Sequence, residues 1–331
     1  MKNFFDDIHL FLKNDVAPIS NALDHDVPLL KKIYQQLIEL NVLQLLVPSG
    51  CGGLGGDRAE WIEYNILLSQ YSGALLFLQA QHQFAVTQLK KLLPAPKAVS
   101  LLKKISEETL ALGIAFAANK KQLQVTKVKD GFELSGKLFW VTGFDCFSSV
   151  LLSFDIDKEI YYALLPFQNM PEKIIVSSPT DTIVFSSANT VSVTLDRYFI
   201  SNDEIIGSWH EQGDVMEHPV IYNFAGAAKA LLEISTRGKY YYHAPVKEKY
   251  ASLLNQWENY YKKIIENKSH PRQLRAEGLL LAEQCIHFAR IVCGAESILA
   301  SHPMNRLARE IWQYSVSGYS EKQLEAYLEE S

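Results

Sequence analysis

The hydrophobic period of the sequence changes twice, and this change constrains the fold more than any other feature. Residues 1–108 place apolar side chains three and four positions apart, which is typical of amphipathic helices. Residues 109–210 contain stretches such as Thr190–Leu195 that alternate polar and apolar side chains, as half-buried strands do. Residues 211–331 return to the helical period. The sequence therefore predicts an α+β multidomain protein in which helices, strands and helices follow one another.

Length and charge exclude several classes of protein. The 331 residues are enough for two or three domains, and the net charge of -5 gives no electrostatic reason to expect a nucleic-acid partner or an anionic membrane surface. Asp6 and Asp7 do not suit a signal peptide, and no uninterrupted apolar run has the length of a bilayer-spanning helix. We therefore expect a cytoplasmic protein without nucleic-acid or membrane partners.

The cysteines and histidines show no metal-binding pattern. The four cysteines are scattered, without CxxC spacing, so free thiols in a reducing compartment are the simplest interpretation. The nine histidines lack an HExxH motif or a comparable ligand spacing. The sequence therefore predicts no metal site.

The stretch Gly136–Gly143 carries the clearest sign of chemistry. It follows a turn at Asp130 and contains Trp140 and Thr142, which are two positions apart. On a regular strand these two side chains point to the same face. An apolar aromatic surface beside a hydroxyl donor can support and hydrogen-bond a planar heterocycle. A hairpin with a half-buried tryptophan is the alternative interpretation.

Three segments taken together resemble the acyl-CoA dehydrogenase family. Leu40–Pro48, followed by Gly52–Gly55, is similar to the family's GLLGLxVP…GGLG signature. Gly136–Gly143 is similar to its GxKxWITN flavin strand, and Thr194–Ile206 resembles its FxxVxVPxxxVL exit from the middle domain. The order and spacing of these segments match over most of the chain.

The resemblance implies a fold, a cofactor and a substrate class. The fold would have an α-helical N-terminal domain over 1–108, a middle β-barrel domain over 109–210 and a C-terminal four-helix bundle domain over 211–331. The cofactor would be FAD, and the substrate an acyl thioester of CoA or of an acyl carrier protein. The family buries helix faces of its bundle against a second subunit, and residues 279–300 are apolar nearly all round. We therefore expect a homo-oligomer, either a dimer or a tetramer.

The resemblance also implies which residues would contact FAD. Trp140 matches the tryptophan that packs on the isoalloxazine ring, and Thr142 matches the threonine whose hydroxyl bonds flavin N5. In place of the family's second flavin segment, TEPGAGSD, this chain has Ala115–Lys121, in which Asn119 aligns with the family threonine and can donate through its amide. The cofactor-binding residues implied in this way are Phe116, Ala118, Asn119, Trp140, Val141 and Thr142.

Other parts of the family pattern are missing. The serine that contacts the pantetheine arm has no counterpart, which makes a carrier-protein-bound acyl group a substrate to consider beside CoA esters. The RxxFG motif, which reaches the FAD pyrophosphate of a neighbouring subunit, is replaced by Tyr240–His243, and Arg237 lies several residues too early. The GGxG turn near the adenine keeps only Gly294 of its glycines. Buried or interfacial packing is the simplest interpretation of the tyrosine run.

The family's catalytic carboxylate is missing at its usual position in this chain. Dehydrogenation requires a carboxylate that removes the α-proton while the β-hydrogen leaves as hydride. The usual glutamate lies in a YEGT motif, and the residue aligned with it here is Ser317 or Gly318, neither of which is a base. Some branches place the glutamate on an earlier helix, just before an arginine. Glu217, followed by His218, resembles that helix start and is the candidate base; a glutamate interacting with the helix dipole is the alternative.

Two further motifs have structural interpretations. Gly50–Gly55 satisfies GxGxxG, but a helical pattern precedes it and no acidic residue follows at the spacing of a dinucleotide-binding fold, so we expect an architectural loop. His82 lies on a helix that lines the acyl cavity in the family, and a structural histidine, either solvated or hydrogen-bonded within the fold, is the alternative to a functional one.

The sequence and the resemblance together predict a FAD-dependent oxidoreductase that acts on the CH–CH group of an acyl thioester. A flavin-dependent monooxygenase of the same fold is the first alternative, because it needs no α-proton base. A degenerate paralogue that keeps the fold and serves as a non-catalytic binding or assembly partner is the second. Bound flavin would distinguish both enzymes from the degenerate paralogue.

Overall fold

Helices and strands follow one another in the order that the hydrophobic periods predict. The computed structural model describes residues 2–116, 123–156, 159–210, 220–267, 269–317 and 321–330. Helices come first, strands occupy the middle of the chain, and helices complete it. Apolar side chains from all three regions form one continuous buried core.

Five α-helices are described in the first region, and polar caps mark where several of them begin. The side chains of Asp26, Asp57 and Ser72 each accept a hydrogen bond from a backbone N–H in the first turn of the helix that follows. Asp57 also forms a capping box with Glu60. The helices are α1 (Lys2–Phe11), α2 (Val27–Glu39), α3 (Arg58–Tyr71), α4 (Gly73–Lys91) and α5 (Pro96–Glu107).

Eight strands in the described residues form two four-stranded sheets. The strands are β1 (Leu112–Phe116), β2 (Leu123–Val128), β3 (Gly131–Val141), β4 (Ser149–Ile156), β5 (Glu159–Pro166), β6 (Ile174–Val176), β7 (Val191–Ser201) and β8 (Ile205–His210). The first sheet has the order β1-β4-β5-β8, with β1 parallel to β4 and the other neighbours antiparallel. The second sheet has the order β2-β3-β7-β6 and is antiparallel throughout.

The middle region differs from the closed β-barrel that the resemblance implied. The strands β1 and β2 are neighbours in sequence but belong to different sheets. Each sheet also has two edge strands within the described residues. A barrel requires one ladder of hydrogen bonds that closes on itself, so this part of the chain forms two open sheets.

Five α-helices are described in the third region. They are α6 (Val220–Ser235), α7 (Ala244–Glu266), α8 (Pro271–Cys293), α9 (Pro303–Val316) and α10 (Glu321–Glu330). Helix α6 is buried along nearly its whole length. It approaches α3 closely because Gly226 has no side chain, and a Cβ at this position would overlap the hydroxyl of Ser69. The first and third regions therefore pack together through direct helix contact.

Helix α8 and the turn after it, Pro271–Ile298, are long and apolar enough by length and composition to cross a membrane. Half of the most apolar window is buried inside the fold, as expected for a helix that packs within a protein core. Charged residues such as Arg275 and Glu277 interrupt the segment. It is therefore weak support for a membrane span.

Two ion pairs lie where the first and third regions meet. Arg306 and Glu310, one turn apart on α9, form a charge-assisted hydrogen bond in the core, and Glu310 also accepts the backbone N–H of Gly73 at 3.1 Å. Burial raises the pKa of Glu310, and the Arg306 guanidinium opposes this rise. Arg309 pairs with Asp24 at 2.7 Å. These contacts anchor the start of α4 and the turn at Asp24 to α9.

Candidate functional site

The end of β3 departs from regular strand geometry. The pairing of β3 with β7 shifts register between Leu138 and Val141, and Trp140 has a φ of 59°, in the left-handed region that a tryptophan rarely adopts. Trp140 is 67% exposed, whereas Thr142 is only 1% exposed. The prediction that these two side chains share one face is therefore wrong. The bulge breaks the alternation on which that prediction depended.

A pair of buried hydroxyl groups lies beside this bulge. Thr142 Oγ1 and Thr190 Oγ1 are 3.0 Å apart, and either oxygen can be the donor; we call these two residues the hydroxyl pair. One hydroxyl hydrogen is shared between the two oxygens, so the pair keeps a second hydrogen that can be donated to another acceptor. Thr190 is not among the residues that the resemblance implies. Only its place at the start of an alternating stretch marks it in the sequence.

The other residues implied by the resemblance differ in position. Val141 is buried, and its side chain packs in the core. Phe116 ends β1 in the first sheet, and its ring centroid lies 5.0 Å from that of Phe84 on α4. Trp140, Val141 and Thr142 are therefore close because they are consecutive in the chain. Phe116 lies on the other sheet. Ala118, Asn119 and Glu217 lie outside the described residues.

Ser317, one of the two residues aligned with the family's usual base, caps the end of α9. The backbone carbonyl of Ser317 accepts a hydrogen bond from Arg275 Nη2 at 2.7 Å. The same guanidinium binds the carbonyls of Tyr314 and Ser315, so it caps the C-terminus of α9. Gly318 lies outside the described residues.

Helix α4 uses its polar side chains to hold the fold. His82 is buried, with Nε2 at 3.0 Å from the carbonyl of Leu43, while its Nδ1 accepts the backbone N–H of Leu112 at 3.1 Å. These partners require a neutral ring with the proton on Nε2. Burial lowers the pKa of His82 to about 4. Gln79 similarly donates to the carbonyl of Val42 at 3.0 Å. The structural interpretation of His82 is confirmed.

The glycine-rich motif lies in a run of short turns between α2 and α3. Gly52 and Gly55 have φ values of 83° and 65°, which favour glycine. A Cβ on Gly53 would overlap the backbone of Val47. The glycines thus allow a tight path of the chain next to the core, and the architectural interpretation is confirmed.

The stretch that replaces RxxFG presents an aromatic surface. Tyr242 is 78% exposed, and Lys247 Nζ lies 5.5 Å from its ring centroid. Lys239 Nζ lies 5.4 Å from the ring centroid of Tyr240. Both contacts are cation–π pairs. Tyr242 is therefore available to a partner and is not buried within the chain.

Two surface clefts lie away from the end of β3. One, of about 530 Å³, lies between α7 and α8 and is lined mainly by polar side chains, including Asn259, Lys263 and Glu277. The other, of about 280 Å³, lies between α1, α3, α6 and α7, around Trp257 and Tyr261. Neither cleft is lined by a residue that the resemblance marks for cofactor or substrate. The observation that supports a site at the end of β3 is therefore the exposed indole of Trp140, because neither of these two clefts is lined by it.

The cysteine thiols and the described acidic groups are candidates for a second centre. The four cysteines are free, and burial raises the pKa of Cys285 to about 12 and that of Cys146 to about 11. Both thiols are therefore protonated and poorly nucleophilic near neutral pH. Within the described ranges, no group of three or more His, Cys, Asp or Glu side chains is arranged to hold a metal ion.

Several solved structures share this arrangement of helices and sheets. Butyryl-CoA dehydrogenase from Megasphaera elsdenii aligns with a TM-score of 0.78 at 16% identity, covering 99% of this chain and 97% of that one. A glutaryl-CoA dehydrogenase from Mycobacterium smegmatis, solved with FADH2, aligns with a TM-score of 0.82 at 12% identity, covering 99% and 93%. Nitrososynthase from Micromonospora carbonacea var. africana aligns with a TM-score of 0.76 at 16% identity, covering 99% and 94%.

The two comparisons by sequence found no match. No protein-family model matches the chain, and a search of curated proteins gives no match. At identities this low, the shared structure establishes the fold and leaves the activity to be inferred from the site.

Proposed function

We propose that this chain, which has an acyl-CoA dehydrogenase-like fold, is a FAD-dependent oxidoreductase acting on the CH–CH group of an acyl thioester, of CoA or of an acyl carrier protein. One observation supports this most. The strand that resembles the family's flavin strand has, one residue before its end, an exposed tryptophan with a left-handed backbone, beside the hydroxyl pair. Strained residues of this kind persist only where the surrounding structure holds them, and they cluster at active and ligand-binding sites.

The side chains at the end of β3 fit a flavin. Trp140 offers an exposed aromatic face on which a planar ring system can stack. The hydroxyl pair is buried beside the same bulge and keeps one hydrogen, which would serve an acceptor atom at a ring edge that reached it past the bulge. Further contacts, as the resemblance implies them, would come from Val141, Phe116, Ala118 and Asn119.

The chain's own residues would orient the cofactor and stabilise charge on it. When bound, FAD supplies a hydride acceptor. Trp140 would cover one face of the ring and exclude water from it. The hydroxyl pair would donate a hydrogen bond where negative charge develops, and a donor fixed in advance is more effective there than water.

Glu217 is the proposed base. It lies just before α6, outside the described residues, in the segment that resembles the alternative glutamate position of the family. Its carboxylate would take the α-proton of the thioester.

Two other functions of the same fold compete with a dehydrogenase. A flavin-dependent monooxygenase needs no α-proton base, which suits the absence of a carboxylate at Ser317, and one structural neighbour is named a nitrososynthase. A degenerate, non-catalytic binding or assembly paralogue would keep the fold and lose the cofactor. The missing TEPGAGSD and RxxFG segments favour that second alternative.

The proposal includes a cytoplasmic homo-oligomer. The apolar side chains of Ile291 and Ile298, near the end of α8, are exposed in the single chain and would be covered by a second subunit. The regions 1–108, 109–210 and 211–331 would be its domains, the last of them built around a four-helix bundle.

The test is an absorption spectrum followed by a half-reaction. Protein reconstituted with FAD is expected to show the flavin absorption bands, and an acyl thioester such as butyryl-CoA is expected to bleach them without oxygen. Glu217→Gln should abolish this bleaching while leaving FAD binding and thermal unfolding unchanged. Glu211→Gln makes the same chemical change in the same segment and should bleach at the wild-type rate.

Each part of the proposal has an outcome that contradicts it. Equal bleaching by the wild-type protein and Glu217→Gln would exclude Glu217 as the base. If no thioester bleaches the flavin, but externally reduced flavin consumes oxygen, the monooxygenase replaces the dehydrogenase. No flavin binding at high micromolar FAD would contradict both enzymes and favour the degenerate paralogue.

A further inference from the structure

A strained turn lies directly beside the hydroxyl pair. Phe185 and Asn189 flank it, and both have left-handed φ values, 55° and 44°. Asparagine tolerates this conformation, but phenylalanine rarely adopts it unless its surroundings impose it. The turn therefore depends on contacts from outside itself to keep its shape.

Those contacts come from Leu23 and Asp24 in the first region, and Arg309 on α9 holds Asp24. Asp24 Oδ1 accepts the backbone N–H of Phe185 at 2.8 Å, and Asp24 Oδ2 accepts a hydrogen bond from Arg309 Nη2 at 2.7 Å. The hydroxyl of Ser187 donates to the carbonyl of Leu23 at 2.6 Å. Asp24 is nearly fully buried, so its carboxylate depends on both the N–H and the guanidinium for compensation.

The ring of Phe185 is held by both helical regions as well. Its centroid lies 5.2 Å from that of Phe77 on α4, in a stacked arrangement, and 5.6 Å from that of Tyr314 on α9. These aromatic contacts fix the side chain, while Asp24 fixes the backbone N–H. The start of the turn is thus clamped between the first and third regions.

The other end of the turn holds the residues that follow β3. The backbone N–H of Gly143 donates to the carbonyl of Ala188 at 2.8 Å, and that of Phe144 donates to the carbonyl of Asn189 at 3.2 Å. The next residue along the chain, Thr190, supplies one half of the hydroxyl pair. A shift of the turn would therefore move both the end of β3 and the two hydroxyl groups.

We infer that the Asp24–Arg309 ion pair is a positioning device for the hydroxyl pair. It fixes the strained turn, and the turn fixes the end of β3. The consequence for a cofactor rests on the proposed function, in which the hydroxyl pair donates a hydrogen bond to the flavin. Asp24 and Arg309 act through the turn and are positioning residues.

Hydrogen exchange at the Gly143 and Phe144 amides measures this link without any cofactor. Asp24→Ala removes both carboxylate contacts and is expected to speed exchange at the two amides by roughly tenfold or more, because local opening becomes easier. Arg309→Gln removes only the ion pair and should give a smaller increase in the exchange rate. This variant replaces Asp24→Ala in the test if Asp24→Ala does not fold. Arg309→Lys keeps the charge and should restore most of the protection.

Asp57→Ala is the matched control. It removes an aspartate that caps α3, and therefore weakens a helix that has no part in the turn. Exchange at Gly143 and Phe144 should stay at the wild-type rate in this variant. A general loss of stability would instead speed exchange in both aspartate variants.

FAD affinity in the same variants tests the consequence for the site. Asp24→Ala and Arg309→Gln are expected to bind FAD more weakly than the wild-type protein by roughly fivefold to tenfold. The absorption maximum of the bound flavin should also shift, because a displaced donor changes the hydrogen bonding of the ring. Asp57→Ala should bind FAD with wild-type affinity and spectrum.

Unchanged exchange at both amides in Asp24→Ala and Arg309→Gln would overturn the inference. Faster exchange with unchanged FAD affinity, in a protein whose wild type binds FAD, would also overturn it, because the turn would then not set the donor. If the wild-type protein binds no FAD, the proposed function fails, and the exchange rates alone decide whether the ion pair holds the end of β3.

Discussion

Helix α4 and the end of β3 both carry residues that the resemblance associates with the active site, but their surroundings differ. On α4, His82 is buried and both of its ring nitrogens have backbone partners. At the end of β3, Trp140 is largely exposed, and the hydroxyl pair uses only one of its two hydroxyl hydrogens internally. Helix α4 uses its polar groups to hold the fold, whereas the end of β3 keeps an exposed ring and a free hydroxyl hydrogen that a ligand could use.

This difference shows where a binding function can be located in a divergent chain. A buried group whose partners all belong to the protein stabilises the fold, and occupying it with a ligand would break those contacts. Substitutions on the helical side should therefore change the free energy of unfolding. Substitution of the exposed Trp140 at the end of β3 should change ligand binding more than stability.

The largest effect on stability is expected for the buried ion pair on α9. Arg306→Ala leaves Glu310 without its cation in the core and should lower the free energy of unfolding by about 3–5 kcal/mol. Lys263→Ala breaks the more exposed pair with Glu277, 2.8 Å apart, and should lower it by less than about 1 kcal/mol. Urea denaturation of the two variants measures both values. Equal losses would mean that burial does not decide the contribution of these pairs.

The next effect is a pH dependence due to His82. Its pKa is about 4 in the folded protein against an ordinary value of 6.5, so between these pH values the unfolded chain binds more protons than the folded one. The free energy of unfolding should therefore fall as the pH is lowered from 6.5 to 4, by about 3 kcal/mol from this residue. His82→Gln does not titrate and should lose less stability over this interval. Parallel stability curves for the two proteins would show that His82 is not the cause.

A smaller effect is expected for the hydroxyl pair. Thr142→Val leaves the hydroxyl of Thr190 buried without its partner and should lower the free energy of unfolding by about 1–3 kcal/mol. The double variant Thr142→Val with Thr190→Val should lose less than the sum of the single variants, because no orphaned hydroxyl remains. Chemical denaturation of the four proteins completes this cycle. Additive losses would mean that the two hydroxyl groups do not interact.

The smallest effect on stability is expected for Trp140. Its indole is mostly exposed, so Trp140→Ala should change the free energy of unfolding by no more than about 0.5 kcal/mol. Thermal and urea denaturation measure this value. A loss of several kcal/mol would mean that Trp140 supports the fold as His82 does, and the contrast between the two regions would disappear.

The sequence predicted the succession of helices and strands and the fold family, because both depend on patterns spread over many residues. Hydrophobic periods repeat along each region. The glycine-loop motif and the tryptophan strand motif follow one another in the order found in the family. The sequence also allowed a structural interpretation of His82, and it predicted an architectural glycine loop because the companions of a dinucleotide-binding motif are missing there. The acyl-CoA dehydrogenase-like fold is confirmed by the solved structures.

What the sequence missed depends on partners that are distant along the chain. The orientation of Trp140 follows from a bulge against β7, and strand alternation predicts side-chain direction only when pairing is unbroken. No local motif contains Thr190, Asp24 or Arg309. Thr190 reaches Thr142 through a tertiary contact, and Asp24 and Arg309 act on the site through the turn. The two open sheets likewise depend on which strands pair, and the resemblance alone implied a closed barrel.

The central claim, that the end of β3 binds FAD, is tested most directly by titrating FAD into the wild-type protein, Trp140→Ala and Trp312→Ala. Trp312, on α9, is 53% exposed and serves as a matched tryptophan outside the site. We predict saturable binding of equal strength by the wild-type protein and Trp312→Ala, and binding weaker by about 1–3 kcal/mol in Trp140→Ala. Equal binding by all three proteins, or no binding by the wild-type protein at high micromolar FAD, would contradict the claim.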